Sequence, residues 1–270
     1  MKIRSNAHCH TVWCDGTNTC EEMIQSAIEK DFVSLGFSIH SWTPYEPCGV
    51  TIEKEQAYRQ ELMQLREKYR GQIEILIGIE RDSLADRDFS EFDYFIDSTH
   101  VLLKGDEPLF IDWTTDKMER YIREFFGGDP YAYCKAFFDH EAAVYAKSSA
   151  LFIGHIDLVS KFNEGNKYFD ETDPRYLTPA LAAADCAIER GIPLEINTGA
   201  ISRGYRSIPY PHPVILKHIR NRGGEVIINS DAHSAPALDT AFDAAAELAR
   251  SCGFDHVLQL RAKGLEEVGL

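Results

Sequence analysis

Three things are scarce or missing in this chain of 270 residues, and each disfavours a class of protein. Positive charge is scarce: 28 Lys and Arg stand against 43 Asp and Glu, a formal net charge of -15. A protein that grips long nucleic acid needs a basic footprint against the phosphates, so that role is disfavoured. Acidity does not exclude a metal site, because bound cations reverse the local sign. Ordered cysteine pairs are missing. The seven cysteines, Cys9, Cys14, Cys20, Cys48, Cys134, Cys186 and Cys252, are odd in number and never fall in C-x-x-C spacing. They read as reduced thiols of a cytoplasmic protein, not as a disulfide frame or a zinc ribbon. No apolar run reaches membrane length, and Met1 leads into a strand-like segment without the apolar core of a signal peptide. The expectation is a cytoplasmic protein with neither a nucleic-acid nor a membrane partner; the oligomeric state is left open.

What is present is alternation. No fixed-period repeat, low-complexity stretch or Pro/Ser/Gly-rich linker divides the chain, and residues 1–270 suffice for one large domain. Apolar, β-rich segments over 2–8, 33–39, 73–79, 93–99, 150–155, 192–197 and 225–230 are expected strands. Between them, 20–31, 53–70, 116–126, 131–147, 175–190, 212–222 and 235–251 are expected helices. Asp173 before Pro174 is a helix start, and Arg190-Gly191 ends the same helix. Strand–helix alternation implies a parallel sheet with helices outside, and seven repeats favour a barrel over an open sheet. A strand over 255–260 is either an eighth or a peripheral one. An insert over roughly 104–140 is expected to lie over the barrel mouth, where loops set specificity.

Almost every expected strand ends in a potential metal ligand or other polar group: Ala-His-Cys-His at 7–10, Ser-Ile-His at 38–40, Gly-Ile-Glu at 78–80, Ser-Thr-His at 98–100. Then come Gly-His-Ile-Asp at 154–157, Glu-Ile-Asn at 195–197 and Ser-Asp-Ala-His at 230–233. Side chains at i and i+2 of a strand share a face, so His8 and His10 can address one point, as can Asp231 and His233. In parallel barrels the C-terminal strand ends meet at a common mouth. A buried ring of His, Glu and Asp is costly through desolvation and repulsion, and metal ions resolve that conflict. The collected ring is His8, His10, Asp15, His40, Glu80, His100, His155, Asp231 and His233. It is too large for one ion and suits two or three sharing carboxylates; imidazole with carboxylate accommodates zinc, iron or manganese.

The order and spacing of H-C-H, Asp15-Gly16, His40, Glu80, His100, Gly154-His155 and Asp231-Ala232-His233 resemble those of the PHP (polymerase and histidinol phosphatase) family of metal-dependent phosphoesterases. The resemblance implies a distorted (β/α)7 barrel of the TIM-like, PHP type with a trinuclear centre. One metal would take His8, His10, Glu80 and Asp231, a second Glu80, His100 and His155, and a third Asp15, His40 and His233. A water held at the metals by His8, His10, Glu80 and Asp231 would be the nucleophile. Some members carry a histidine where this chain has Asp15. Within the family, segments 154–162 and 195–203 are most similar to the monofunctional histidinol-phosphate phosphatases of histidine biosynthesis. That subgroup implies a small phosphate ester as substrate, and a cationic clamp on its phosphate suits Arg203 first, then Lys161 and Arg206. Asp157, Glu195 and the insert are expected to give the mouth an acidic field toward a cationic leaving group.

The other histidines have plainer readings. His140 and His218 fall in expected helices, His256 lies beyond the last motif, and His212 in Tyr-Pro-His-Pro is open. Cys9 is expected to point away from His8 and His10 into the core. Three rival functions remain. Amidohydrolases also open on H-x-H, but usually bridge their metals with a modified lysine where this chain has Ser98-Thr99-His100. A phosphodiesterase acting on nucleotides, or on another small ester, would keep the family and change the substrate. A non-catalytic barrel would not be expected to retain all nine ligands.

Overall fold

The computed structural model describes residues 3–45 and 47–270. In chain order the first elements are β1 (Ser5–Asn6), α1 (Cys20–Glu29), β2 (Ser34–His40), α2 (Ile52–Lys68), β3 (Glu74–Asp82) and β4 (Tyr94–Ser98). A hairpin, β5 (Val101–Lys104) and β6 (Glu107–Phe110), precedes α3 (Thr115–Phe125), α4 (Pro130–Tyr145) and β7 (Phe152–Ile153). Then follow α5 (Pro174–Glu189), β8 (Leu194–Asn197), α6 (Gly199–Ser202), α7 (Pro213–Asn221) and β9 (Val226–Asn229). The chain continues through α8 (Phe242–Ser251), β10 (His256–Arg261) and β11 (Gly264–Gly269).

Most outer helices begin where the sequence says they must. Thr19 starts α1 with a reciprocal cap, its hydroxyl accepting from Glu22 N while the Glu22 carboxylate accepts from Thr19 N. Such a box satisfies two otherwise orphaned donors. Asp129 and Asp173 cap α4 and α5, each before a proline whose missing N–H costs nothing at that position. Residues 235–251, expected as one helix, are instead a 3-10 turn over Ala235–Asp239 followed by α8. Between them Ala241 adopts a left-handed conformation, φ 58°, which no continuous helix permits.

Seven strands, β1-β2-β3-β4-β7-β8-β9, lie side by side and all parallel. The sheet curls until Cys9, just past β1, pairs in parallel with Ala232, just past β9. There His10 N donates to Ala232 O at 2.8 Å, and Ala232 N to His8 O at 3.3 Å. At the other end β10 runs beside β9, and its Leu260 carbonyl accepts the hydroxyls of Ser5 and Ser34. The result is a distorted seven-stranded parallel barrel, closed directly, among the described residues, only at its C-terminal rim. The segment over 255–260 is thus peripheral, one arm of the antiparallel β10–β11 pair. The first residue of the strand expected over 2–8 lies outside the described residues, and the ladder that forms is Ser5–Asn6. Among the described residues no helix is long and apolar enough to cross a membrane.

The insert expected over 104–140 is corrected in part. Its second half belongs to α4, an outer barrel helix whose Phe138 meets Tyr176 of α5 edge to face at 5.2 Å. The β5–β6 hairpin begins already at Val101 and was not expected. Behind it, Asp112 reaches the mouth and accepts Lys161 Nζ at 3.0 Å.

Alternation along the strands decides what fills the barrel. Leu35, Phe37 and Ile39 of β2 and Ile75, Ile77 and Ile79 of β3 face the helices and join the large outer core. Leu76, Tyr94, Ile96, Phe152, Ile227 and Leu260 form a separate cluster inside. Tyr94 crosses that interior and donates to the carbonyls of Ala7 (2.7 Å) and Phe37 (3.1 Å). Gly36 and Gly78 make room for it: a Cβ on Gly36 would lie 2.4 Å from the Tyr94 hydroxyl oxygen, and one on Gly78 2.3 Å from Cζ. The period that turns Gly36 and Gly78 inward also turns His40 and Glu80 inward, four and two residues further on. Gly78→Ala should therefore destabilise the fold by about 1–3 kcal/mol through overpacking. Denaturant unfolding measures this, and an unchanged midpoint would contradict the packing described.

Candidate metal centre

All nine side chains of the expected ring come together at the C-terminal rim. His40 and Glu80 are register partners on β2 and β3. His8 and His10 follow β1, His100 follows β4, His155 follows β7, and Asp231 and His233 follow β9. Asp15 arrives on the loop after β1. Cys9, between two ring members, turns away and places its thiol 3.2 Å from the Gly36 carbonyl, in the outer core.

Glu80 stands at the middle. Its Oε1 lies 3.3 Å from His8 Nε2, 3.4 Å from His100 Nε2 and 3.1 Å from His155 Nε2. Its Oε2 lies 3.4 Å from His10 Nε2 and 3.1 Å from His40 Nδ1. Asp231 Oδ1 lies 3.1 Å from His10 Nε2 and 3.7 Å from His8 Nε2. On the outer side Asp15 Oδ2 meets His233 Nε2 at 3.1 Å and His40 Nε2 at 3.6 Å, and Asp15 Oδ1 meets His10 Nδ1 at 3.5 Å. His40 thus stands between Glu80 and Asp15, linking two of the expected ligand sets.

These separations fit a cation. Two ligands bound at about 2.0–2.2 Å with a tetrahedral angle lie about 3.4 Å apart, the middle of the distances observed. Hydrogen bonding alone does not satisfy the ring. His8 Nε2, His10 Nε2 and Glu80 Oε2 are buried without a hydrogen-bond partner, and a buried orphan of this kind calls for an explanation. Four overlapping groups of ligand atoms, each within 4.8 Å, cover the ring: His10–Asp15–His40–His233, His8–His155–Asp231, His8–His10–Glu80 and His40–Glu80–His100. The cluster fits a metal site.

Its electrostatics say the same. Burial pushes the Glu80 carboxyl up, but His8, His100 and His40 outweigh burial and hold it well below the usual carboxylate range. Asp231 is depressed likewise against burial, by Arg203 and then His8. Burial opposes protonation of His40, yet Glu80 and Asp15 raise its pKa to about 9. Burial together with His233 and His40 lowers His10 to about 4. Adjacent imidazoles pushed in opposite directions mark a site where charge is contested.

Of the expected clamp residues, Arg203 reaches the ring. Its guanidinium donates to Asp231 Oδ2 at 2.9 Å and to His233 Nδ1 at 2.8 Å. Lys161 sits at the mouth, where its Nζ donates to the Asp112 carbonyl (2.8 Å) and carboxylate. Arg206 is a correction. It is buried and bidentate to Glu171 at 2.6 and 2.8 Å, and it also donates to Ser160 O, so its donors face the interior. The acidic field is corrected too. Asp157 is buried, its Oδ2 accepting from His212 N at 2.8 Å, and burial followed by Glu171 raises its pKa to about 7. Glu195 is fully buried beneath the ring and accepts from His8 Nδ1 at 2.8 Å. The His212 side chain caps α7. Two carboxylates beside the ring, Asp82 buried and Asp112 partly exposed, escaped the sequence reading. Asp82 accepts from His100 N at 3.1 Å, and Asp112 pairs with Lys161. Asp82 carried a usable signal, since it is two residues past Glu80 on the same face of β3.

The fold and the ring together define a parallel α/β barrel with a metal-binding cluster at its catalytic rim. Residues 6–199 match the PHP domain family, and the chain belongs to that family. The histidinol-phosphatase of Bacillus subtilis is 25% identical over 89% of this chain and 97% of its own length. A Deinococcus radiodurans protein described as a probable histidinol-phosphatase is 27% identical over 92% and 93%. The Lactococcus lactis histidinol phosphate phosphatase, solved with zinc, L-histidinol and phosphate, superposes with a TM-score of 0.74 at 18% identity, over 97% of this chain and 98% of that one.

With its pKa near 9, His40 of the metal-free chain keeps its proton at pH 7, and a metal must expel it. Apparent zinc affinity, measured by chelator competition, should therefore rise from pH 7 toward pH 9. A flat profile would contradict the assignment of His40 to the centre.

Proposed function

We propose that this chain is a metal-dependent phosphatase that hydrolyses L-histidinol phosphate to L-histidinol and phosphate. The chemistry rests on one observation above all: a single buried carboxylate, Glu80, faced by five imidazoles. The substrate rests on relatives that match nearly the whole chain and are described as a histidinol-phosphatase and a probable histidinol-phosphatase. The nine ring residues are assigned as ligands of two or three divalent transition metals, zinc, iron or manganese. Residues 1–270 are taken as one catalytic barrel domain, which a core running continuously from Ile3 to Val257 supports. A cytoplasmic location and a small phosphate ester as the only ligand besides metal complete the reading.

The ring residues would hold divalent metals, and these would supply positive charge for the phosphoryl oxygens and lower the pKa of water toward neutral. The chain's own residues do the rest. Glu80, whose two oxygens face different imidazoles, would be a ligand shared between the inner and outer histidines. The least covered ring members and the adjoining Arg203 lie on one side: Asp15 is 31% exposed, His233 23% and Arg203 25%. That side is where a phosphate enters. Arg203, held in place by Asp231 and His233, meets it there with a planar fork matched to phosphate oxygens. Lys161 supplies a second cation at the mouth, steadied by Asp112. The inner members, His8, His10 and His155, are sealed from bulk water, so attack is confined to the open side.

A panel of phosphate esters with each metal tests the proposal. Histidinol phosphate should be cleaved at least ~10-fold more efficiently than sugar phosphates or nucleotides, a preference of about 1.4 kcal/mol. In the same assay Arg203→Ala should weaken inhibition by inorganic phosphate, since a charged hydrogen bond contributes about 1.5–3 kcal/mol. A nucleotide clearly outperforming histidinol phosphate would transfer the assignment to a phosphodiesterase or nucleotidase of the same family. No hydrolysis of any ester with any metal would overturn it.

A further inference from the structure

The acid beneath the ring has a use that its sequence position at a strand end conceals. Glu195 is fully buried on β8, and four donors converge on it. Oε1 accepts from His8 Nδ1 at 2.8 Å and from Asn229 Nδ2 at 3.0 Å. Oε2 accepts from the backbone N of His155 at 2.9 Å and from Asn197 Nδ2 at 2.7 Å. Asn229 in turn accepts from Ala7 N through its Oδ1 at 2.7 Å, which ties the platform to the closing edge of the barrel.

We propose that Glu195 is a positioning residue of the metal centre: by taking the Nδ1 proton of His8 in a hydrogen bond while anchoring the backbone of His155, it commits His8 to coordinate through Nε2 and couples two ligands from opposite sides of the barrel. The inference rests on the metal-centre reading above. The other end of the His8 ring bears it out: Nε2 is buried, has no hydrogen-bond partner, and aims between Glu80 and Asp231. A neutral imidazole carries one N–H, so a proton fixed on Nδ1 leaves the Nε2 lone pair for a cation. A carboxylate behind a ligating imidazole also makes it a stronger ligand. Only a carboxylate suits the position. Both of its oxygens face donors alone, so a glutamine sets its NH2 against two donors whichever way it turns. The simplest relief is for His8 to move its proton to Nε2 and accept at Nδ1, which removes the ligand atom.

Glu195→Gln and the wild-type chain, both in zinc buffers, are compared by chelator competition and by nitrogen-15 resonances of the histidine rings. The wild type should show His8 protonated at Nδ1, and the variant should lose about 10–100-fold in affinity for zinc. The unfolding midpoint of the metal-free variant serves as the structural control. A variant that holds zinc as tightly as wild type, and differs only in that midpoint, would overturn the inference while leaving the metal centre standing. Should Glu195→Gln fail to fold, the wild-type spectrum decides alone, because His8 protonated at Nε2 in the zinc-loaded chain contradicts the proposal. A wild-type chain that takes up no zinc would overturn the metal-centre reading first and this inference with it.

Discussion

The Glu80 carboxylate, 1% exposed and approached by the nitrogens of His8, His10, His40, His100 and His155 at 3.1–3.4 Å, is the constraint around which this end of the molecule is arranged. One carboxylate offers about four acceptor sites, too few for the five imidazoles turned toward it, and burying so many titratable groups without compensation is costly. The ring therefore makes physical sense as a cage for cations. Its outer members, Asp15 and His233, together with the neighbouring Arg203, provide the side that solvent and a phosphate can approach.

The barrel exists in a form that serves this ring. Closure through Cys9 and Ala232 occurs between the two ligand pairs, so His8, His10, Asp231 and His233 are brought together by the same hydrogen bonds that join the sheet's ends. Below the ring Tyr94, boxed in by Gly36 and Gly78, forms an apolar floor. Between floor and ring lies the Glu195 platform, whose Asn229 also bonds Ala7 across the same closure. Removing the polar layer would loosen the barrel and the ligands together.

Much of this was legible in the sequence because it depends on local rules. Period-two alternation and strand-end placement put His40, Glu80 and the H-x-H pair on view, and Asp173-Pro174 with Arg190-Gly191 located α5 to within a residue. What escaped depends on contacts between distant segments. Arg206 reads as a candidate for the phosphate clamp until Glu171, 35 positions away, is seen to neutralise it. Glu195 and Asp157 sit at strand ends like true ligands, and only the depth of burial separates the platform from the mouth. The β5–β6 hairpin was hidden because its turn, Gly105-Asp106, interrupts a short and partly exposed strand pair with weak alternation. The break before α8 was hidden because Ala241, a good helix former, adopts a left-handed conformation that its own propensity disfavours.

Anomalous diffraction from crystals of the zinc-loaded chain decides whether the nine side chains hold more than one metal. Two or three anomalous peaks are expected inside the ring, each about 2.0–2.2 Å from ligand atoms of the named histidines and carboxylates, with one peak on either side of Glu80. Crystals that contain zinc but show no peak among these nine side chains would contradict a polynuclear centre there.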